Sequence, residues 1–379
     1  MTADNSLGVG VVGLHEGRTL LVALNHAIPP VVGLANENRR RVSGLRAVAG
    51  CDQDPEKLNR ARIDCPDLFY TTDYRELLLR DDVNIVAIYT PDALHGEHIA
   101  LAFEAGKHVI CTKPLVNSMD DARRVWQASC ANSGASKLLV GQSTRFFDSF
   151  RRQRTAYERG ELGTIELVDA HYIHRMDWFY EKSPWAADTT DWVFLGLSHP
   201  LDLVRWYLGP IEQVQAIGFR TALANRYRVK SYDVYSVNLV ACSGQIGRVM
   251  GHYGLHELPS ARNAIELTLF GTLGTSLAQY HDMRYYQTTA DGTEVKYDAL
   301  YHQRAYYFNN EVHGMHYGEF ANYAQYFADA VRSGLPYSPD LREGLETFCI
   351  MEAVRQSAAT GHPVSVPPLL KEVGLHEAT

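Results

Sequence analysis

Five short apolar runs alternate with helical patterns in the first 141 residues, and that alternation leaves few folds open. The runs are Val9–Leu14, Leu45–Cys51, Asn84–Tyr89, His108–Thr112 and Lys137–Gly141. Thr19–Ala27, a segment opened by Asp54-Pro55-Glu56, His95–Ala105 and Ser118–Ala131 read as the intervening helices. Asp54 is a suitable N-cap with Pro at the first helical position, and Gly106 is a helix stop. Near-continuous apolar strands interleaved with helices predict a parallel, doubly wound sheet covered on both faces.

After residue 145 the pattern changes. A helix, Ser149–Arg159, leads through Gly160–Gly163 into the alternating run Ile165–His174. Val214–Arg220, Ser231–Ala241, Gly247–His252 and Ala264–Phe270 follow, parted by turns at Ser243-Gly244, Gly271–Gly274 and Asp291-Gly292. Short alternating runs joined by tight turns predict a mostly antiparallel sheet in an α+β domain. The expected domains are residues 1–145 and 146–379. Gly318–Arg332 is an amphipathic helix by its apolar spacing. Leu341–Thr360 is a second late helix, stopped by Gly361, and the Pro-containing tail Val364–Thr379 is expected to be loosely held.

Composition narrows the function classes. At 379 residues the chain suits two or three domains. Its 46% hydrophobic and 21% charged residues exclude disorder, collagen and coiled coil as the main architecture. A net charge of -8 and a pI of about 6.0 argue against a nucleic-acid partner. None of the six cysteines forms a C-x-x-C pair, which points to a reducing compartment. The polar N-terminus lacks an apolar signal region, and no apolar run is long enough to span a membrane. A cytoplasmic enzyme with no membrane partner is therefore expected.

A dinucleotide fold needs a glycine turn after its first strand and helix amides to hold the pyrophosphate. Gly13-Leu14-His15-Glu16-Gly17-Arg18 stands there, with His15 in place of the second glycine and Gly17 one place early. Gly13, His15, Gly17 and Arg18 are thus cofactor candidates. Asp52 ends the second strand, where a carboxylate binds ribose hydroxyls and repels a 2′-phosphate, so NAD is favoured over NADP. Its separation from Gly13 is 39 positions, against about 20 in the usual pattern; the segment Ile28–Gly44 reads as an inserted loop.

Two further motifs carry a family resemblance. Thr90-Pro91-Asp92-Ala93-Leu94-His95 follows the third strand, and Ala105-Gly106-Lys107-His108-Val109-Ile110-Cys111-Thr112-Lys113-Pro114-Leu115 follows the next helix. They resemble the T-P-N-x-x-H and A-G-K-H-V-x-x-E-K-P-L motifs of the Gfo/Idh/MocA oxidoreductases. Arg145-Phe146-Phe147, Gly160-Glu161-Leu162-Gly163 and His199–Trp206 extend the resemblance over nearly the whole chain. It implies a Rossmann domain followed by a large open sheet that often mediates dimers or tetramers. It also implies NAD(P)-linked hydride transfer on a sugar or polyol carbon. Thr90, Pro91 and His95 would line the cofactor cleft, Lys113 would be the active-site lysine at the nicotinamide, and His199 the histidine opening a helix.

Oxidising a secondary alcohol requires a proton acceptor beside the departing hydride. Lys113 can bind and polarise the reacting oxygen, and a neutral His199 can take the proton. Asp202, one helical turn later, is expected to pair locally or orient the helix. The family pattern D-x-G-x-H is broken: Leu195 stands where its Asp would be, with Asp188 and Asp191 as nearby replacements, and Thr112 stands where Glu is usual. The chain has 22 Tyr and only 13 Phe. Arg145, Tyr172, Trp178, Trp185, Asp191 and Trp192 are the substrate candidates, because aromatic faces stack on sugar C–H groups or on an aryl aglycone.

No metal is assigned. His171-x-x-His174 has ligand-like spacing, but i and i+3 on a strand face opposite ways. His313-x-x-His316-x-x-Glu319 could share a helix face, yet 16 His make such coincidences expected. The leading expectation is an NAD-dependent dehydrogenase acting on a ring hydroxyl, such as C3, of a sugar or glycoside. The resemblance extends to relatives that oxidise C-glycosides. An inositol-type polyol dehydrogenase and a non-catalytic NAD- and sugar-binding sensor are the alternatives.

Overall fold

The computed structural model describes residues 6–25, 44–184, 186–189, 191–256, 264–298 and 319–375. These divide into two compact units: residues up to Ser143 together with those up to Leu345 after the 299–318 segment, and the remainder.

The first unit is a six-stranded parallel sheet. Its strands are β1 (Leu7–Val12), β2 (Leu45–Cys51), β3 (Phe69–Thr71), β4 (Ile85–Ile88), β5 (His108–Thr112) and β6 (Leu138–Gly141), ordered β3-β2-β1-β4-β5-β6. β1 and β4 are buried almost throughout, which is why their sequences read as continuous apolar runs. Helix starts are where the side chains direct. Asp54 accepts the Glu56 amide at 2.9 Å, and Ser118 Oγ accepts that of Asp121 at 3.1 Å.

The helix Glu319–Ser333 belongs to this unit, whereas a boundary at residue 145 would assign it to the second domain. Side-chain and edge bonding explain the difference. Tyr323 on this helix bonds the Tyr89 hydroxyl, Phe320 packs 5.2 Å from the Tyr89 ring, and the Val140 amide on edge strand β6 donates to the Pro339 carbonyl at 3.0 Å. Such long-range pairings leave no local mark in sequence.

The second unit is a nine-stranded sheet. Its strands are β7 (Ile165–Ile173), β8 (Ile211–Phe219), β9 (Val234–Ala241), β10 (Ile246–His252), β11 (Ile265–Gly271), β12 (Gly274–Tyr280), β13 (Arg284–Thr289), β14 (Glu294–Asp298) and β15 (Val364–Ser365). The order is β14-β13-β12-β11-β7-β10-β9-β8-β15. All neighbours are antiparallel except β7 and β10, which run parallel because helices and the β8–β9 pair intervene between them in the chain. Buried and exposed residues alternate along β9 and β10, so one face is covered. The helix Ser198–Leu208 lies on that face, and Gly247 admits it: a Cβ there would stand 2.6 Å from Val204 Cγ1.

As far as Leu375 the tail is packed, contrary to expectation. Val364–Ser365 pairs with β8 and the helix Pro367–Val373 follows. Val366, Leu369, Val373 and Leu375 are all buried, a helical repeat that anchors it. Among the described residues, no helix is long and apolar enough to cross a membrane.

Candidate active site

The candidate cofactor residues of the first unit stand at the carboxyl ends of its strands. Gly13 turns the chain after β1 with φ +86°, and a Cβ there would lie 2.5 Å from the Tyr89 carbonyl. Gly17 opens the next helix, and its Cβ would lie 2.7 Å from Val11 Cγ1. One glycine permits the left-handed turn; the other seats the helix close on its strand, leaving the helix amides at the strand ends. His15 lies exposed in this turn.

Asp52 sits beside the turn because β1 and β2 are parallel neighbours, so the 39-position gap does not matter. Its Oδ2 accepts the Leu14 amide at 2.7 Å and its Oδ1 the Asp54 amide at 2.9 Å. Each oxygen retains a lone pair for a ribose hydroxyl. The inserted segment lies outside the described residues except Gly44. Arg18 is placed differently from its expected cofactor role: its Nε donates to Asp64 Oδ2 at 2.6 Å, at the end of the helix Pro55–Asp64.

Pro91 is exposed, whereas His95 is buried. The His95 Nδ1 lies 2.8 Å from the Pro114 carbonyl oxygen and its Nε2 lies 2.9 Å from that of Thr90. The ring therefore pins the loop after β4 to the loop after β5. Both ring nitrogens thus face backbone. Thr90 Oγ1 lies 3.1 Å from His98 Nδ1. Burial, aided by the neighbouring His95 and opposed by Glu97, brings His98 down to about 4, so this ring is neutral at pH 7.

Lys113 follows β5 and is joined to Pro114 by a cis peptide. Burial holds its ammonium below the ordinary lysine range, while the Glu16 and Asp92 carboxylates oppose that shift. These two acids were not among the expected site residues. Glu16 is hidden in the imperfect glycine motif; Asp92 carried a signal, as it replaces the Asn of the T-P-N motif.

In the second unit His199 is the second residue of the helix Ser198–Leu208 and is 6% exposed. Its ring stands edge-on to Tyr172 at 5.9 Å, and Tyr172 stands edge-on to Tyr253 at 5.5 Å. Half-buried Trp178 donates from Nε1 to the Arg175 carbonyl at 3.0 Å, with its ring 6.3 Å from His174.

Three substrate candidates take other roles. Arg145 is a core residue: Nε and Nη2 donate to Asp202 Oδ2 and Oδ1 at 2.6 and 2.7 Å, and the pair is almost fully buried. Asp202 thus pairs across the fold, not locally. Trp192 is fully buried, stacked on Tyr253 at 4.4 Å, with Nε1 donating to the Tyr180 hydroxyl. Asp191 caps the helix Trp192–Leu195 by accepting the Val193 amide at 2.9 Å. Burial raises its carboxyl, against the pull of that amide and of Arg355. Asp188 pairs with Lys230 at 3.1 Å on the surface. Each acid thus already has a partner. Trp185, His313 and His316 lie outside the described residues. Among those described, no three His, Cys, Asp or Glu side chains gather as a metal would need.

Comparison with known proteins bears on the fold and the family. The oxidoreductase family with an NAD-binding Rossmann fold matches residues 7–141, and its C-terminal α/β domain matches residues 154–366. A 1-carboxy-3-chloro-3,4-dihydroxycyclohexa-1,5-diene dehydrogenase of Comamonas testosteroni is 30% identical over 165 residues, 42% of this chain and 41% of that protein. An inositol 2-dehydrogenase of Gluconacetobacter diazotrophicus is 29% identical over 205 residues, 54% of this chain and 55% of that protein. The alignments thus span about half the length of these two relatives. A levoglucosan dehydrogenase solved with NADH and levoglucosan shares the fold, with a TM-score of 0.75 at 22% identity over 96% of this chain and 100% of that one. With both family domains matched in order along the chain, the protein belongs to the Gfo/Idh/MocA family of NAD-binding oxidoreductases.

Proposed function

We propose that this oxidoreductase removes hydride from a secondary ring hydroxyl, at C3 of a sugar or glycoside, including C-glycosides. The observation that carries the reading is the desolvated Lys113 ammonium, held at a strand end of a dinucleotide fold with two carboxylates acting on it. Bound NAD supplies the hydride acceptor. Gly13, Gly17 and the helix amides would hold its pyrophosphate, and Asp52 its ribose. Lys113 binds and polarises the reacting oxygen. His199 accepts the hydroxyl proton as the C–H bond breaks, leaving the carbonyl of a keto-sugar. Half-buried Tyr172 and Trp178 supply faces for the sugar ring. The inositol and levoglucosan dehydrogenase relatives support a cyclic polyol or sugar.

The test is NADH formation with purified protein, NAD and a panel of glycosides, free sugars and inositols. Turnover of glycosides is expected; turnover confined to inositols would move the reading to a polyol dehydrogenase. Leu195, in place of the family acid, favours one other reading, a sensor that binds NAD and sugar without turnover. Binding without NADH formation on any substrate would establish it.

We further propose a homodimer or homotetramer through the second unit's sheet. Ile217, Val240, Ile246 and Met250 on β8, β9 and β10 are exposed apolar side chains on neighbouring strands, of the kind a subunit contact would cover. Sedimentation equilibrium checks this, and a monomer at micromolar concentration would exclude it.

A further inference from the structure

Tyr253 directly follows β10, is 1% exposed, and its hydroxyl has no hydrogen-bond partner among the described residues. On the neighbouring ring, by contrast, Trp192 Nε1 donates to the Tyr180 hydroxyl. The backbone is shaped around the Tyr253 hydroxyl. A Cβ at Gly196 would lie 2.2 Å from the Tyr253 Cζ, and one at Gly251 would lie 3.0 Å from its oxygen. Phenylalanine would fill the ring's space without burying an unbonded polar group, so this state of the molecule does not explain the hydroxyl. Burial raises the phenol well above its usual range, with Tyr172 and Tyr235 adding to the effect, and keeps it a neutral donor.

Its neighbours connect it to the chemistry. Gly196 lies three residues before His199 and next to Leu195, where the family pattern has its acid. Half-buried Tyr172 stands edge-on to both the His199 and Tyr253 rings and so joins the two.

We propose that the Tyr253 hydroxyl is a specificity-determining group that finds its partner only when substrate binds, donating to a carbohydrate oxygen beside the carbinol served by His199. It thereby takes over substrate positioning that the missing acid at Leu195 leaves open. The inference rests on the functional reading above and adds a binding contact to it.

The experiment compares wild type with Tyr253→Phe in three measurements: Tm of the free protein, the Tm rise produced by NAD with each carbohydrate, and kcat and KM. The expected result is an unchanged or higher Tm for the free variant, a smaller carbohydrate-induced rise, and kcat/KM lower by about 10-fold or more, since a site built to bond a hydroxyl loses that bond. A lower Tm of the free variant, including failure to fold, would show that the hydroxyl is bonded without substrate and overturns the proposal. So does an undiminished carbohydrate-induced rise, or kcat/KM equal to wild type. If wild type oxidises no carbohydrate yet one raises its Tm, the functional reading fails while the comparison of rises still decides Tyr253. A wild type whose Tm no carbohydrate raises overturns both.

Discussion

The two units hold their site residues by different means. In the first, the candidate cofactor residues are defined by backbone: a left-handed glycine, a glycine under a close strand contact, and a carboxylate taking two backbone amides. In the second, the candidates are side chains on one sheet face and its covering helix, where a core residue and a ligand residue share one alternation. Backbone requirements restrict residue type sharply, whereas a packed ring and a substrate-stacking ring are written with the same letters. Arg145 and Trp192 show the consequence, for both carry polar groups that are spent inside the core.

The largest test of that contrast is Arg145→Met. Removing one partner of a buried pair leaves Asp202 uncompensated, a loss of about 3–5 kcal/mol. Urea unfolding should show it; a stable variant with a raised KM for carbohydrate would return Arg145 to the substrate site. Next come Lys113→Ala and His199→Ala, each expected to lower kcat by about 100-fold or more. Steady-state rates check this, and wild-type rates in both would remove the proposed proton path. Asp52→Ala should raise KM for NAD by about 10-fold, the effect of some 1.4 kcal/mol. It should also relax rejection of NADP; unchanged cofactor preference would take Asp52 out of the ribose site. The smallest effect is a displacement in pH. The Glu16 carboxylate raises the Lys113 pKa against burial, so Glu16→Gln lowers it further. The ammonium is then lost at lower pH, and the alkaline limb of the kcat profile moves toward neutrality. A limb that stays in place would show that Glu16 does not act on Lys113.

Glu16 and Asp92 also mark where reading the chain stopped short. Thr112 replaces a familiar acid next to the lysine, and the structure supplies negative charge from two other loops. Only folding brings the glycine turn, the T-P-D loop and the end of β5 together. His95 is similar: its motif is plain in the sequence, but its clamp on the Thr90 and Pro114 carbonyls is not. The helix Glu319–Ser333 shows a clear apolar stripe, yet nothing in that stripe says which sheet it covers. A stripe specifies burial, not the partner.

The order of strands and helices, the glycine turn and the acid after β2 follow from local chemistry. Strand burial, φ > 0 and helix capping each constrain the residue at a single position, so the linear text carries them. Side-chain pairing across 57 positions, as in Arg145 with Asp202, and the close approach of distant Gly196 to Tyr253 depend on packing in three dimensions. That packing sorts the aromatic residues into core and site.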